Sequence, residues 1–109
     1  MLIQLQNENR TFTTQAYAIR IDGRLFGYGI QNLSDTMPAG IYQLVMLHGY
    51  PVIMGYCNFS DEGLNDGNLV VGELVGDDFI LGTRAAFAKF CKVVIEALDN
   101  LETINVEVE

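Results

Sequence analysis

The pair Asp22-Gly23 constrains this chain more than any other feature of its sequence. Before it, Tyr17, Ile19 and Ile21 alternate with Ala18, Arg20 and Asp22. That is the period of a half-buried strand. After it comes Arg24-Leu25-Phe26-Gly27-Tyr28-Gly29-Ile30. Asp-Gly between two such runs predicts a type I′ hairpin, because both central residues of that turn need positive φ. On the return strand Phe26, Tyr28 and Ile30 are expected on one face. Gly27 and Gly29 fall on the other, where something can approach closely or the sheet can bend.

The rest of the chain reads as more strands and one helix. Met37-Pro38-Ala39-Gly40 is a turn, and residues 41–47 are the next strand. His48-Gly49-Tyr50-Pro51 breaks it, and Val52-Ile53-Met54 is a short buried strand. Residues 58–68 carry turn chemistry throughout and read as loop. Leu69-Val70-Val71 and Phe79-Ile80-Leu81 flank an acidic turn at Gly76-Asp77-Asp78. Thr83 is the expected N-cap of a helix whose apolar stripe is Phe87, Phe90, Cys91, Val94, Ala97, Leu98 and Leu101. Residues 103–108 alternate as a final strand. The fold class is therefore α+β: a mainly antiparallel curled β-sheet or small barrel, with one α-helix in the C-terminal half followed by a final strand.

With 109 residues the chain is a single domain, and half of its residues are hydrophobic, enough for a core of its own. Six basic residues against fourteen acidic ones leave a net charge of −8. That balance argues against nucleic acid and against an anionic membrane surface as partners. No signal peptide or apolar run of membrane-spanning length is read from the sequence. No Lys or Arg occurs between Leu25 and Thr83, while Asp35, Asp61, Glu62, Asp66, Glu73, Asp77 and Asp78 do. The plain reading is a set of solvated loops; the sharper one is a patch facing a basic partner or a cation. Cys57 and Cys91 are expected as unlinked thiols, and two cysteines with a lone histidine make no zinc site.

The candidates for chemistry are few. Asp61, Asn65, Asp66 and Asn68 offer hard oxygen ligands of the kind calcium takes. The helix-loop-helix calcium pattern fails, because its third position is Gly63 or Leu64. No phosphate-cradling glycine motif, nucleophile elbow or cofactor motif is present, so no cofactor is expected. His48 and Cys57 form the only conceivable thiol–imidazole dyad, and they flank a strand. A small-molecule site on the glycine face of the return strand would take Tyr28 or Tyr56 as its rim. The strands of the first half carry apolar groups on both faces, and a single helix covers one. The other must close into a barrel or meet a second copy, for which a two-fold homodimer is the expectation.

The order of these motifs resembles a family of small domains of unknown function encoded by phages and mobile elements. The matching stretches are Asp22-Gly23-x-Leu25-Phe26, Met37-Pro38-Ala39-Gly40-Ile41-Tyr42, Leu69-Val70-Val71-Gly72 and Thr83-Arg84-Ala85-Ala86-Phe87. The family's central His…Gly-Cys motif is itself similar to that of L,D-transpeptidases, cysteine enzymes that cross-link peptidoglycan. Here Val52-Ile53-Met54 matches the strand before the family's histidine, which places that position on Gly55. The family's cysteine position falls on Asn68, after Gly67. The resemblance implies the fold and a phage accessory protein, in the host cytoplasm or in a particle, that acts by binding a protein or small molecule. The competing roles are a cysteine-dependent peptidoglycan transferase or hydrolase and a structural component of a particle.

Overall fold

The structure, a computed structural model, describes residues 1–64, 67–76 and 79–109. In chain order its elements are β1 (Leu2–Arg10), β2 (Thr14–Ile21), β3 (Arg24–Asn32), β4 (Gly40–Leu47), β5 (Tyr50–Ile53), β6 (Cys57–Ser60), β7 (Leu69–Gly72), β8 (Leu74–Val75), β9 (Ile80–Leu81), α1 (Thr83–Asp99) and β10 (Ile104–Val108). The expected hairpin joins β2 to β3. Ile21 pairs with Arg24, and Asp22 and Gly23 take φ of 49° and 85°. The Asp22 carboxylate also accepts the Leu2 N–H at 2.8 Å, tying the turn to β1.

Eight strands close into a barrel in the order β1-β10-β4-β5-β6-β7-β3-β2. Neighbours are antiparallel except β1 with β10 and β6 with β7, which are parallel. β8 and β9 make a separate two-stranded ribbon. Ile3, Leu5, Tyr17, Ile19, Leu44, Phe59, Val71 and Val106 belong to a single buried core. Closure covers the inner face of the strands, while Ile41 and Leu47 of β4 remain exposed.

Both mouths of the barrel are crossed by chain. α1 packs against β7 and β10, which stand four places apart in the ring of eight, so the helix spans one end. It drives Phe90 inward, 5.0 Å between ring centres from Phe59 and 5.7 Å from Phe26. β3 and β4 are also four places apart, so the segment joining them crosses the opposite end and delivers Met37 to the core.

Several details depart from the sequence reading. The pairing of β2 with β3 shifts register between Ile19 and Arg20: Ile19 faces Gly27 while Arg20 faces Leu25. Phe26 is the extra residue of this bulge and packs against the core cluster, whereas Tyr28 and the buried Ile30 lie outside that cluster. A bulge shifts the alternation by one residue, so Phe26 does not share a face with the other two. The glycine face is consequently the barrel's inside. A Cβ on Gly29 would lie 2.6 Å from Leu69 Cδ2, and one on Gly27 2.8 Å from the Gly72 carbonyl oxygen.

Residues 58–60, read as the start of a loop, belong with Cys57 to strand β6 between β5 and β7. β5 begins at Tyr50, because His48 and Gly49, with φ of 51° and 83°, form a second two-residue turn. β1 has no counterpart in the sequence reading: Ile3 and Leu5 alternate with glutamines, and five polar residues follow. The helix begins at Thr83, whose side chain caps nothing. The N-cap is Gly82, in the left-handed region at φ 68°. At the other end Leu101 takes φ 61°. It donates to the Leu98 carbonyl at 3.0 Å while Glu102 donates to Ala97 at 3.0 Å, the Schellman pattern. Leu101 therefore points into solvent and leaves the apolar stripe.

Candidate functional site

At the mouth opposite the helix a polar cluster is built into the core. Tyr17 on β2 donates its hydroxyl to Gln31 Oε1 on β3 at 2.6 Å, and Gln31 Nε2 donates to the Asp35 carbonyl at 3.3 Å. Tyr17 and Gln31 are both buried. The phenol is pushed up to about 12, first by burial and then by the neighbouring Cys57, with Arg10 acting in the other direction. The Cys57 thiol on β6 is likewise pushed up to about 12 by burial. Among the described residues every buried side-chain nitrogen and oxygen has a partner. Satisfied groups of this kind specify packing.

The candidate dyad is not assembled. Cys57 pairs with Ile53 at one end of β5, and His48 lies in the turn beyond the other end. The four residues of β5 lie between the two ends, about 13 Å at 3.3 Å each. A thiol held neutral is also the opposite of an activated nucleophile. Cys91 on α1 is half-buried and raised above its ordinary value by burial and, secondarily, by the charge of Asp61. Neither cysteine is in a disulfide.

The sequence-predicted binding residues are distributed over separate places. Tyr28 lies on the outside of β3, beside a groove of about 290 Å³ shared with Glu8, Asn9, Leu74, Val75 and Gly76. Tyr56 is in the β5–β6 turn, where its ring meets Tyr42 edge-on at 4.9 Å. Tyr42 in turn donates its hydroxyl to the Pro38 carbonyl at 2.6 Å. Asn68 donates from its side-chain amide to the Gly63 carbonyl at 3.1 Å. Asp61 sits toward the helix, near Cys91. Asn65 and Asp66, like Asp77 and Asp78 of the second acidic turn, lie outside the described residues. Among the described residues no three His, Cys, Asp or Glu side chains gather as a metal site would require.

Gly67 stands 3.5 Å, at its Cβ position, from the Tyr56 carbonyl oxygen, which brings the neighbourhoods of Gly55 and Asn68 to one end of the barrel. The two positions that the motif resemblance assigned to a histidine and a cysteine, Gly55 and Asn68, thus come near each other in the fold, and neither carries a side chain able to act as base or nucleophile. The space proposed above Gly27 and Gly29 is occupied by the protein's own interior.

Two apolar features were not read from the sequence. Phe12, at the tip of the β1–β2 hairpin, is fully exposed. Its turn is rigidly bonded: Thr11 N–H donates to the Thr14 carbonyl at 2.9 Å, and the Thr11 hydroxyl accepts from the N–H groups of Thr13 and Thr14. The second is an open groove of about 270 Å³ on the outside of β5 and β6, walled by Leu47, Val52, Met54 and Tyr56. A lone phenylalanine among three threonines is the signal that marks the first; the groove is formed where Leu47 of β4 meets the run from Val52 to Asn58, and the pairing of β4 with β5 brings them together. Among the described residues no helix is long and apolar enough to cross a membrane. No family model, curated protein or solved structure matches this chain.

Proposed function

We propose that this chain is a non-catalytic accessory protein of a phage or mobile element that acts by binding, through its outer surface, a protein or a small molecule. The observation that carries the reading is where its reactive groups lie. Cys57 is buried and held neutral, His48 is at the far end of β5, and the barrel is filled by its own side chains. What remains available is the exterior, where Phe12, Ile41 and Met54 are apolar and well exposed. Exposed apolar groups on a small acidic domain fit a role in contacts between molecules. Self-association belongs to the same proposal, since β4 still presents Ile41 and Leu47 outward after the barrel has closed. The phage or mobile-element origin, and with it a place in the host cytoplasm or in a particle, rests on the order of sequence motifs.

Peptidoglycan chemistry supplies the test against the enzyme reading. Incubated with muropeptides, the protein is expected to leave stem peptides unchanged, as judged by mass spectrometry. New cross-links or cleaved peptides that disappear in Cys57→Ala would overturn the proposal.

A further inference from the structure

We infer that two copies of this chain pair through the exposed face of α1, antiparallel about a two-fold axis at Ile95, so that Lys92 of each copy meets Asp99 of the other. This gives the self-association in the proposed function a surface, and it rests on that reading.

The sequence sets up the pattern. Three of the six basic residues of an otherwise acidic chain, Arg84, Lys89 and Lys92, stand on this one helix. All three are exposed, as are Glu96 and Asp99 after them. The outer face therefore runs from positive to negative along the chain, with Ile95, 44% exposed, at the change of sign. That order is unfavourable for a helix on its own. The N-terminal end of a helix favours anions and the C-terminal end cations, yet the first turn here has no acid and the last turn no base. Nor does the molecule use these charges internally: among the described residues none of the five takes part in an ion pair.

An antiparallel copy of the same helix supplies the missing partners. Its charges and its dipole both run the other way, so each end meets its opposite. With Ile95 on the axis, Lys92 and Asp99 lie about one turn to either side of it, and the pair between copies forms twice. The apolar groups fit the same axis. Ile95 meets Ile95 of the second copy. Leu101, 93% exposed just past the helix, falls beside Ala88 of the other copy, whose side chain is small and exposed. A patch complementary to itself in this way closes as a two-fold dimer. The helix has 17 residues, a length of about 25 Å, so a contact confined to it is small beside the roughly 1,200 Å² of a stable complex. Association is therefore weak, and reversing a charge is enough to break it.

Charge swapping on the full chain, read by sedimentation equilibrium from about ten micromolar to about a millimolar, tests this. The parent is expected to rise from 12.1 kDa to twice that mass and to level off there. Lys92→Asp and Asp99→Lys each set like charges against one another, and each alone is expected to weaken the dimer at least about tenfold. Mixed in equal amounts, the two should recover it, and so should the double variant, because both restore opposite charges across the axis. Both side chains are exposed, so melts like the parent's are expected for all three. Net charge does not mimic this result: one single variant is more acidic than the parent and the other less, yet both lose the dimer. A dimer that either single variant keeps overturns the α1 contact while leaving self-association through another face in place. Single variants that dissociate, with neither the mixture nor the double variant restoring the dimer, overturn the pairing of Lys92 with Asp99. A parent whose mass passes the dimer's overturns the two-fold geometry. A parent that is monomeric throughout overturns both this contact and the self-association on which it rests.

Discussion

Single residues in this barrel show how burial sets chemistry. Cys57 and Tyr17 face each other's surroundings inside the closed sheet, and both titrate near 12 rather than at their ordinary values of 9.0 and 10.0. The folded state therefore keeps protons that the unfolded chain releases. Stability from this source is fully present below pH 9 and is lost as pH rises toward 12. Urea midpoints measured from pH 8 to pH 11.5 are expected to fall with increasing steepness above pH 9. In Cys57→Ala the fall should be shallower. An alkaline limb identical to the parent's would mean that the thiol is not held neutral in the core. The same burial explains why a cysteine and a histidine nine positions apart are no catalytic pair: sequence distance says nothing about which face of a strand, or which end, each occupies.

At the scale of elements, glycines and turns do most of the specifying. Asp22-Gly23 was legible because its backbone requirement is local: two positive φ values admit few residue pairs. The bulge at Phe26 was not legible, since it depends on what lies across the sheet. There the Gly72 carbonyl approaches Gly27 so closely that a methyl group would lie 2.8 Å from it. Gly27→Ala is expected to destabilise the fold by about 1–3 kcal/mol, because a backbone oxygen rather than a flexible side chain must move. A melting temperature unchanged from the parent would show that β3 and β7 are not in such close contact. β6 illustrates the converse. Cys57-Asn58-Phe59-Ser60 is short, borders a turn and looks polar, yet Phe59 is wholly buried because β5 and β7 pair on either side of it.

For the molecule as a whole, the last strand is the closing element. β10 lies between β1 and β4, joining the first strand of the chain to the middle of the ring. Ile104 and Val106 are completely buried, and Val108 nearly so. Removing residues 104–109 takes away those side chains and leaves two unpaired strand edges. The truncated chain is expected to lose its cooperative thermal transition and the dispersion of its amide NMR spectrum. A sharp melt within a few degrees of the parent would mean that the barrel closes without β10.

Local chemistry in the sequence was enough to determine the hairpin, the helix and its inward phenylalanine, the alternating final strand and the α+β class. These rest on φ requirements and on periods of two and 3.6 residues, which are properties of neighbouring residues. The tertiary structure decided what depends on partners remote in the chain. It assigned β1 its place by pairing it with β10, turned a two-faced sheet into a closed ring, and put the glycines of β3 on the inside. It also separated Tyr28 from Tyr56, and His48 from Cys57. Each of those outcomes is set by which strands become neighbours, and strand pairing joins residues as remote in the chain as Leu2 and Asn105, whose side chains need share no local pattern.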